Sequence, residues 1–359
     1  MADRVLVVKL GSSSVTGLDG APDVALLASL SSQFAALRSR GTRLVVVSSG
    51  AVATGLSTLG QATRPSDMAA LQAASAVGQP RVVRAWQDSL APHGIHVGQV
   101  LLDPADLFSR RQYLLARRTF AALFELGVIA VVNENDAVAD EEIRFGDNDR
   151  LAALVAVLVG ASRLVLLTDT PGLFTEDPAR SETARLIDEV TEIDHELEAA
   201  AGGSSSAVGT GGMASKLAAA RLATWSGIET VIADAREDCV VVRLEDASGA
   251  TSTTFRARKR PLPARKAWIA FATASKGRLE VDDGARRALG GGASLLLAGV
   301  RATEGDFAVG DAVEVTAGGA LFAKGLVRCS SRELDRHADG TPVPRDVVVV
   351  HHDDLVALD

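Results

Sequence analysis

Short apolar runs alternate with helical stripes through the first two-thirds of the chain. Val5–Leu10, Leu44–Val47, His96–Leu102, Val128–Val132, Leu164–Leu167 and Thr230–Ala233 are rich in Val, Ile and Leu and mostly do not alternate with polar residues. Such runs suit strands covered on both faces of a parallel sheet. Between them, Leu27, Leu30, Phe34 and Leu37 recur at helical spacing, with Gly41 as a stop signal. Ser66 and Asp67 offer N-caps to an Ala-rich segment that runs to about Leu90. Leu114, Leu115, Phe120, Leu123 and Phe124 form a further stripe closed by Gly127, and Met213 to Trp225 one closed by Gly227. This alternation predicts an α/β fold, an open and mostly parallel sheet sandwiched by helices.

The pattern changes after residue 255. Residues 256–266 read RARKRPLPARK, with six basic residues, two prolines and no acid, which is the composition of a linker. Beyond it, Trp268–Phe271, Ser294–Leu297, Val313–Val315, Leu326–Arg328 and Val347–Val350 read as short strands parted by glycines. The expected organisation is therefore an α/β domain over 1–255, a basic tether over 256–266 and a small, mostly β domain over 267–359.

Composition narrows the function classes. With 359 residues, 47% hydrophobic and 23% charged, the chain has a globular balance and enough length for a real core. Cys239 and Cys329 make neither a disulfide framework nor a metal-ligand pair, so a reducing cytoplasm is the expected home. The net charge of −8 does not invite nucleic acid or an anionic membrane. Residues 264–359 carry 12 Lys/Arg against 14 Asp/Glu, a poor footprint for RNA. Lys9 interrupts the first apolar run, so no signal peptide is expected. The longest apolar stretch, Leu151 to Leu167, contains Gly160 and Arg163 and falls short of the roughly 18 apolar residues of a membrane span.

The candidate chemistry follows the strands. Ligands of open α/β sheets bind beyond the carboxyl ends of the strands. There the sequence places Lys9-Leu10-Gly11-Ser12, Ser48-Ser49-Gly50, Asn133-Glu134-Asn135-Asp136 and Thr168-Asp169. Gly146-Asp147-Asn148-Asp149 and Thr210-Gly211-Gly212-Met213-Ala214-Ser215-Lys216 add two more polar segments. The glycines let backbone N–H groups approach an anion, each precedes a helix-type segment, and Lys9 and Lys216 can neutralise phosphate. Each also has a plain structural alternative: an edge-strand lysine at Lys9, an N-cap at Asp149, a turn at Ser49 and an Asx-turn at Asp136. No Walker A motif occurs. Gly209 to Ala214 fits a relaxed dinucleotide fingerprint, but a Gly/Ser-rich loop precedes it in place of the required strand. His93 and His96 lack a third metal ligand, and His351-His352-Asp353-Asp354 lies near the C-terminus, so no metal site is expected.

Taken in order, VVKLGSSS, VVSSGAVATG, VVNENDAV, FGDNDRLAALVA, LLTDTPGLF and GTGGMASKLAAA resemble the glutamate 5-kinase family of the amino acid kinase superfamily. From about residue 265, WIAFATASKGRLEVDDGA and VVVHHDDL are similar to that family's PUA domain, although residues 334–346 lack its tyrosine-rich stretch. The resemblance implies ATP-dependent phosphorylation of the γ-carboxylate of L-glutamate, the first step of proline synthesis. It implies Lys9 at the transferred phosphate beside the Gly11 and Ser12 backbone, Lys216 on the transferring group, and Asp149 orienting both lysines. Ser49, Gly50, Asn133, Asp136, Asp147 and Asn148 would hold the amino acid, with Asp136 on its ammonium. Thr168, Asp169 and the 210–216 loop (Thr210, Gly211, Gly212, Met213, Ala214, Ser215, Lys216) would hold ATP, with Mg²⁺ bound mainly by phosphate and water. It further implies a homo-oligomer built through the kinase domain and feedback inhibition by L-proline. N-acetylglutamate kinase, aspartokinase and UMP kinase remain alternatives within the superfamily. An RNA-linked protein and a regulator that has lost activity are the alternatives outside it.

Overall fold

The computed structural model describes residues 4–61, 63–104, 107, 109–138, 148–194, 197, 212–271, 273, 275–338 and 347–358. The chain divides into two units, Met1–Pro261 and Leu262–Asp359.

The first unit is built on β1 (Val5–Leu10), every residue of which is buried. The described elements continue in order as α1 (Ser12–Val15), α2 (Val24–Ser39), β2 (Arg43–Ser48), α3 (Ala51–Thr58), α4 (Met68–Leu90), β3 (Val97–Leu102), α5 (Arg110–Glu125), β4 (Ile129–Glu134), α6 (Asn148–Val159), β5 (Arg163–Thr168), β6 (Glu189–Val190), α7 (Met213–Trp225), β7 (Glu229–Asp234), α8 (Val240–Glu245) and β8 (Ser252–Phe255). The strands form one sheet in the order β3-β4-β2-β1-β5-β7-β8-β6. From β3 to β7 all neighbours run parallel, and β8 turns antiparallel to β7. The chain leaves β1 for β2 on one side and returns to β5 on the other. A crevice opens where strand order reverses in this way, at the carboxyl end of β1. The register keeps the neighbouring ends level, with Leu10 opposite both Ser48 and Leu167.

Burial on both faces explains the unbroken apolar strands. Leu6, Val8, Leu10, Val46, Val131, Val165 and Leu167 pack with Leu27, Leu30 and Phe34 of α2 and Val82, Trp86 and Leu90 of α4. Trp86 is fully buried, stacks 6.0 Å from Phe34 and donates Nε1–H to Ser48 Oγ at 3.0 Å. Asp67 caps α4, its carboxylate accepting from the Ala70 N–H. Helices α3 and α4 cross unusually closely. A Cβ on Gly55 would lie 1.7 Å from the Ala74 carbonyl oxygen, and one on Gly78 would lie 1.9 Å from that of Ala51.

The apolar stretch from Leu151 behaves as expected, whereas the basic segment and Trp268–Phe271 depart from the sequence expectation. The apolar stretch from Leu151 breaks into α6 and β5 at Gly160, which has a φ of +65°. No described helix is long and apolar enough to cross a membrane. The basic segment begins as part of the first unit: Arg256 pairs with Glu189 at 2.6 Å and Glu229 at 2.8 Å, and Arg258 lies 3.3 Å over the Trp225 ring. Trp268–Phe271 belongs to a helix, because a four-residue apolar run has no period to separate the two states.

The second unit opens with that helix, α9 (Ala264–Phe271). It continues with β9 (Ser275–Val281), α10 (Asp283–Gly290), β10 (Leu295–Leu296), β11 (Val300–Gly305), β12 (Ala312–Ala317), β13 (Ala320–Val327), α11 (Ser331–Ala338) and β14 (Val348–Ala357). Its sheet has the order β10-β14-β13-β12-β9-β11 around Leu279, Val281, Val313, Val315, Phe322, Val350 and Leu355.

Candidate active site

A lysine inside a strand buried on both faces needs a carboxylate, and the fold supplies one. Lys9 is the fifth residue of β1 and is 4% exposed. Its Nζ lies 2.5 Å from Asp149 Oδ1, in the first turn of α6. Lys216, in the first turn of α7, places Nζ 3.2 Å from Asp149 Oδ2, and Ser215 donates its hydroxyl to the same oxygen at 3.2 Å. Asp149 is completely buried. Burial alone would raise its pKa, but the charges and hydrogen bonds of Lys9 and Lys216 outweigh burial and hold it below the ordinary 3.8. The result is a fixed anion with a cation on each side.

Glycine geometry shapes the walls. Gly11 precedes α1, and a Cβ there would stand 3.8 Å from Lys9 Nζ, so the absence of a side chain keeps the ammonium approachable. Gly50 carries φ +100° ahead of α3, a left-handed conformation natural only to glycine. Gly212 leads into α7, whose first-turn N–H groups, from Met213 to Ser215, have no intrahelical acceptor and form a positive end. Thr168 closes β5 and donates to Asp169 Oδ1 at 3.0 Å; Thr168 is buried and Asp169 exposed.

One residue before Asp149, the chain turns to a second cluster. Asn148 Nδ2 donates to Ser49 Oγ at 2.8 Å and to Asn133 Oδ1 at 2.9 Å. Asn133 Nδ2 donates to Gln79 Oε1 at 2.6 Å, and Ser75 donates its hydroxyl to Asp136. All six side chains are buried. Burial raises the Asp136 pKa above 3.8, opposed by the Ser75 hydrogen bond and the Arg64 charge. Asp147, Thr210 and Gly211 lie outside the described residues.

Two members of this cluster, Ser75 and Gln79, are absent from the sequence reading. Both come from α4, on the stripe that also buries Leu71, Ala74, Gly78, Val82, Trp86 and Leu90. The available signal was a polar residue at positions where the stripe demands apolar ones. The close α3–α4 crossing brings them to the β2 and β4 ends.

No carboxylate of the lysine cluster is free for a metal, because both oxygens of Asp149 face cations. Among the described residues, the one grouping of three metal-ligating side chains is His351, His352 and Asp353, in the second unit. There His351 Nδ1 already accepts from the Asp353 N–H at 3.3 Å.

A parallel sheet whose strand ends gather two lysines on one carboxylate, beside a helix N-terminus, is built to hold anions. The chain belongs to the amino acid kinase family, whose profile matches residues 4–234, and a PUA domain profile matches residues 277–343. Within that family its relatives include the glutamate 5-kinase of Syntrophotalea carbinolica, 45% identical over 361 residues, covering 98% of this chain and 96% of the relative. The glutamate 5-kinase of Pseudomonas aeruginosa PAO1 is 48% identical over 337 residues, covering 93% and 90%. Among solved structures, a carbamate kinase from Giardia lamblia bound to AMP-PNP aligns with a TM-score of 0.51 at 16% identity, over 72% of this chain and 99% of that one. An isopentenyl phosphate kinase aligns at 0.50 and 20% identity, over 70% and 100%. These two likenesses concern the fold.

Proposed function

We propose that this chain transfers the γ-phosphoryl group of ATP to the γ-carboxylate of L-glutamate, giving L-glutamyl 5-phosphate for proline synthesis. The observation that carries this reading is the buried Lys9–Asp149–Lys216 cluster, next in sequence to Asn148, whose amide hydrogen-bonds Ser49 and Asn133. The names of the full-length relatives support the substrate.

The chemistry asks little of a proton acceptor. A glutamate side chain has a pKa of about 4.3 and is an ionised nucleophile at neutral pH. A carboxylate oxygen attacks the γ-phosphorus in line, that P–O bond forms, and the bond to the ADP oxygen breaks. The difficulty is repulsion between two anions and the charge that builds on the transferring group. Lys9 offsets it at the transferred phosphate, beside the Gly11 and Ser12 backbone. Lys216 offsets it at the leaving oxygen, backed by the positive end of α7 at Gly212, Met213, Ala214 and Ser215. Asp149 holds both ammonium groups in place, and its commitment to them disqualifies it as a base. Thr168 and Asp169, with the loop through Thr210 and Gly211, hold the nucleotide. Ser49, Gly50, Asn133, Asp147 and Asn148 hold the amino acid, with Asp136 on its ammonium. Mg²⁺ would be held mainly by ATP phosphate and water, since both oxygens of Asp149 are already taken by the lysines. When bound it would supply neutralisation of phosphate charge.

The test is ADP release with Mg-ATP and L-glutamate, beside N-acetyl-L-glutamate, L-aspartate and UMP, with hydroxylamine to trap an acyl phosphate. Hydroxamate from glutamate alone is the expected result. Turnover of another acceptor would keep the phosphate roles and void the Asp136 assignment.

A further inference from the structure

The polar atoms of the acceptor pocket are almost all committed to one another. Asn148 donates to Ser49 and Asn133, and Asn133 donates to Gln79. A relay of amides running in this direction leaves one group over at each end. At one end Gln79 Nε2, a donor, is buried without a hydrogen-bond partner; at the other, Asn148 Oδ1, an acceptor, is buried without one. Buried amide groups are rarely left unmet, and unmet ones beside a substrate pocket point to the ligand.

The position of Gln79 says which part of a ligand it meets. It lies four residues after Ser75 on α4, and side chains at that spacing share a helix face with Cβ atoms about 5–6 Å apart. Ser75 holds Asp136. A donor thus stands beside a carboxylate and a spare carbonyl. An α-amino acid carries the complementary pair on one carbon, an ammonium with three donors and a carboxylate that only accepts.

We propose that Gln79 is a specificity-determining residue that receives the substrate's α-carboxylate through Nε2, while Asp136 and Asn148 Oδ1 share the ammonium. The inference rests on the reading above that the acceptor is a free amino acid, and it deepens that reading. The hydrogen bond from Asn133 fixes the Gln79 carbonyl, so the amide cannot turn to greet a cation instead. An N-acylated amino acid, with one N–H in place of three, would leave an acceptor unmet.

The experiment uses the full chain as wild type, Gln79→Met and Gln79→Glu. Both variants keep a long unbranched side chain, and the KM for ATP reports an intact fold. The readouts are KM for L-glutamate, KM for ATP, and the inhibition constant of 4-aminobutyrate, which has the ammonium and the γ-carboxylate but no α-carboxylate. Gln79→Met should raise the KM for glutamate about 10- to 150-fold, the span of a lost hydrogen bond to a charged group. Gln79→Glu should raise it further, because it sets carboxylate against carboxylate. The KM for ATP and the inhibition by 4-aminobutyrate should be the same in wild type and Gln79→Met. Three results would each overturn the proposal: equal losses toward glutamate and 4-aminobutyrate, a KM for ATP that rises in step, or Gln79→Glu binding glutamate as well as Gln79→Met. A wild type that yields no hydroxamate from glutamate would overturn the glutamate reading itself, whatever Gln79 does.

Discussion

Asp149→Asn removes one charge and almost no volume, at a site with no exposure to solvent. Its carboxylate stands 2.5 Å from Lys9 Nζ and 3.2 Å from Lys216 Nζ. At an effective dielectric of about 20, unit charges roughly 3 Å apart attract by about 5–6 kcal/mol. Two such attractions offset the desolvation of three ions, a penalty of several kcal/mol for each. The variant keeps the two buried cations and loses what they share, so the first unit should lose about 3–5 kcal/mol. For a unit of this size that is a drop in Tm of about 6–20 °C.

The same logic sets a second readout. The variant leaves two unmatched cations, so an added anion should restore part of the loss. Inorganic pyrophosphate should raise the Tm of Asp149→Asn more than that of the wild type. The acid limb should change as well. The Asp149 pKa is depressed in the folded chain, so its contribution is complete above 3.8 and is lost as pH falls through the lower folded value. That loss should vanish in the variant. Melting by full-length protein, followed by calorimetry with and without pyrophosphate, checks all three. A variant that melts within about 2 °C of the wild type, with no extra gain from pyrophosphate, would refute the electrostatic account.

Lys216→Ala should lower kcat far more than it raises either KM if, as proposed, its charge acts mainly on the leaving oxygen; steady-state kinetics with an unchanged kcat would remove it from the mechanism. Asp136→Asn should raise the KM for glutamate by about 10- to 150-fold, the equivalent of roughly 1.5–3 kcal/mol. In the wild type, burial raises the Asp136 pKa above 3.8, so protons compete with the substrate ammonium and KM should climb as pH falls through that raised value. A pH profile with the same acid limb in Asp136→Asn would assign the limb elsewhere. Gly78→Ala should cost about 1–3 kcal/mol and raise the KM for glutamate, because its Cβ would meet the Ala51 carbonyl at 1.9 Å and force α4, with Ser75 and Gln79, away from the strand ends. Thermal melts and kinetics equal to wild type would show the tight crossing to be dispensable.

The frame of the first unit was legible because parallel strands leave a coarse mark. The runs at Val5–Leu10, interrupted only by Lys9, and Leu164–Leu167 do not alternate, and the polar residues that end them had to face a common edge. That edge did bring Lys9, Asp149 and Lys216 together. Ser75 and Gln79 were missed because they sit mid-helix, over 50 residues in sequence from the partners they contact. Nothing local marks such positions except polarity on an apolar stripe. The second unit was less legible. Strands such as Ser275–Val281 bury only Leu279 and Val281, at one end, so their sequence carries too short a period to separate strand from turn. The basic segment misled for another reason. Its first charge, Arg256, is matched by Glu189 and Glu229 from other elements of the first unit, which composition alone cannot foresee.

The two halves of the site meet within a single dipeptide. Asn148 reaches the amide relay of the proposed acceptor pocket, and Asp149 reaches the lysines of the proposed phosphate end. Both stand in the first turn of α6, where helical geometry fixes their backbones with little freedom left. Phosphoryl transfer without a general base depends on distance and alignment more than on proton movement. On the proposed assignments, a rigid turn that touches both reactants' sites sets that distance once, whichever substrate binds first. It also makes the two sites sensitive to the same perturbation. A shift of α6 that loosened the lysines would move Asn148 with them, so variants on the buried face of α6, such as Ala152→Val, should raise the KM for glutamate and lower kcat together. Side chains at Ala152 and Ala153 are fully buried, leaving no room for added methyl groups without such a shift. Independent movement of the two parameters in Ala152→Val would show that the sites are positioned separately.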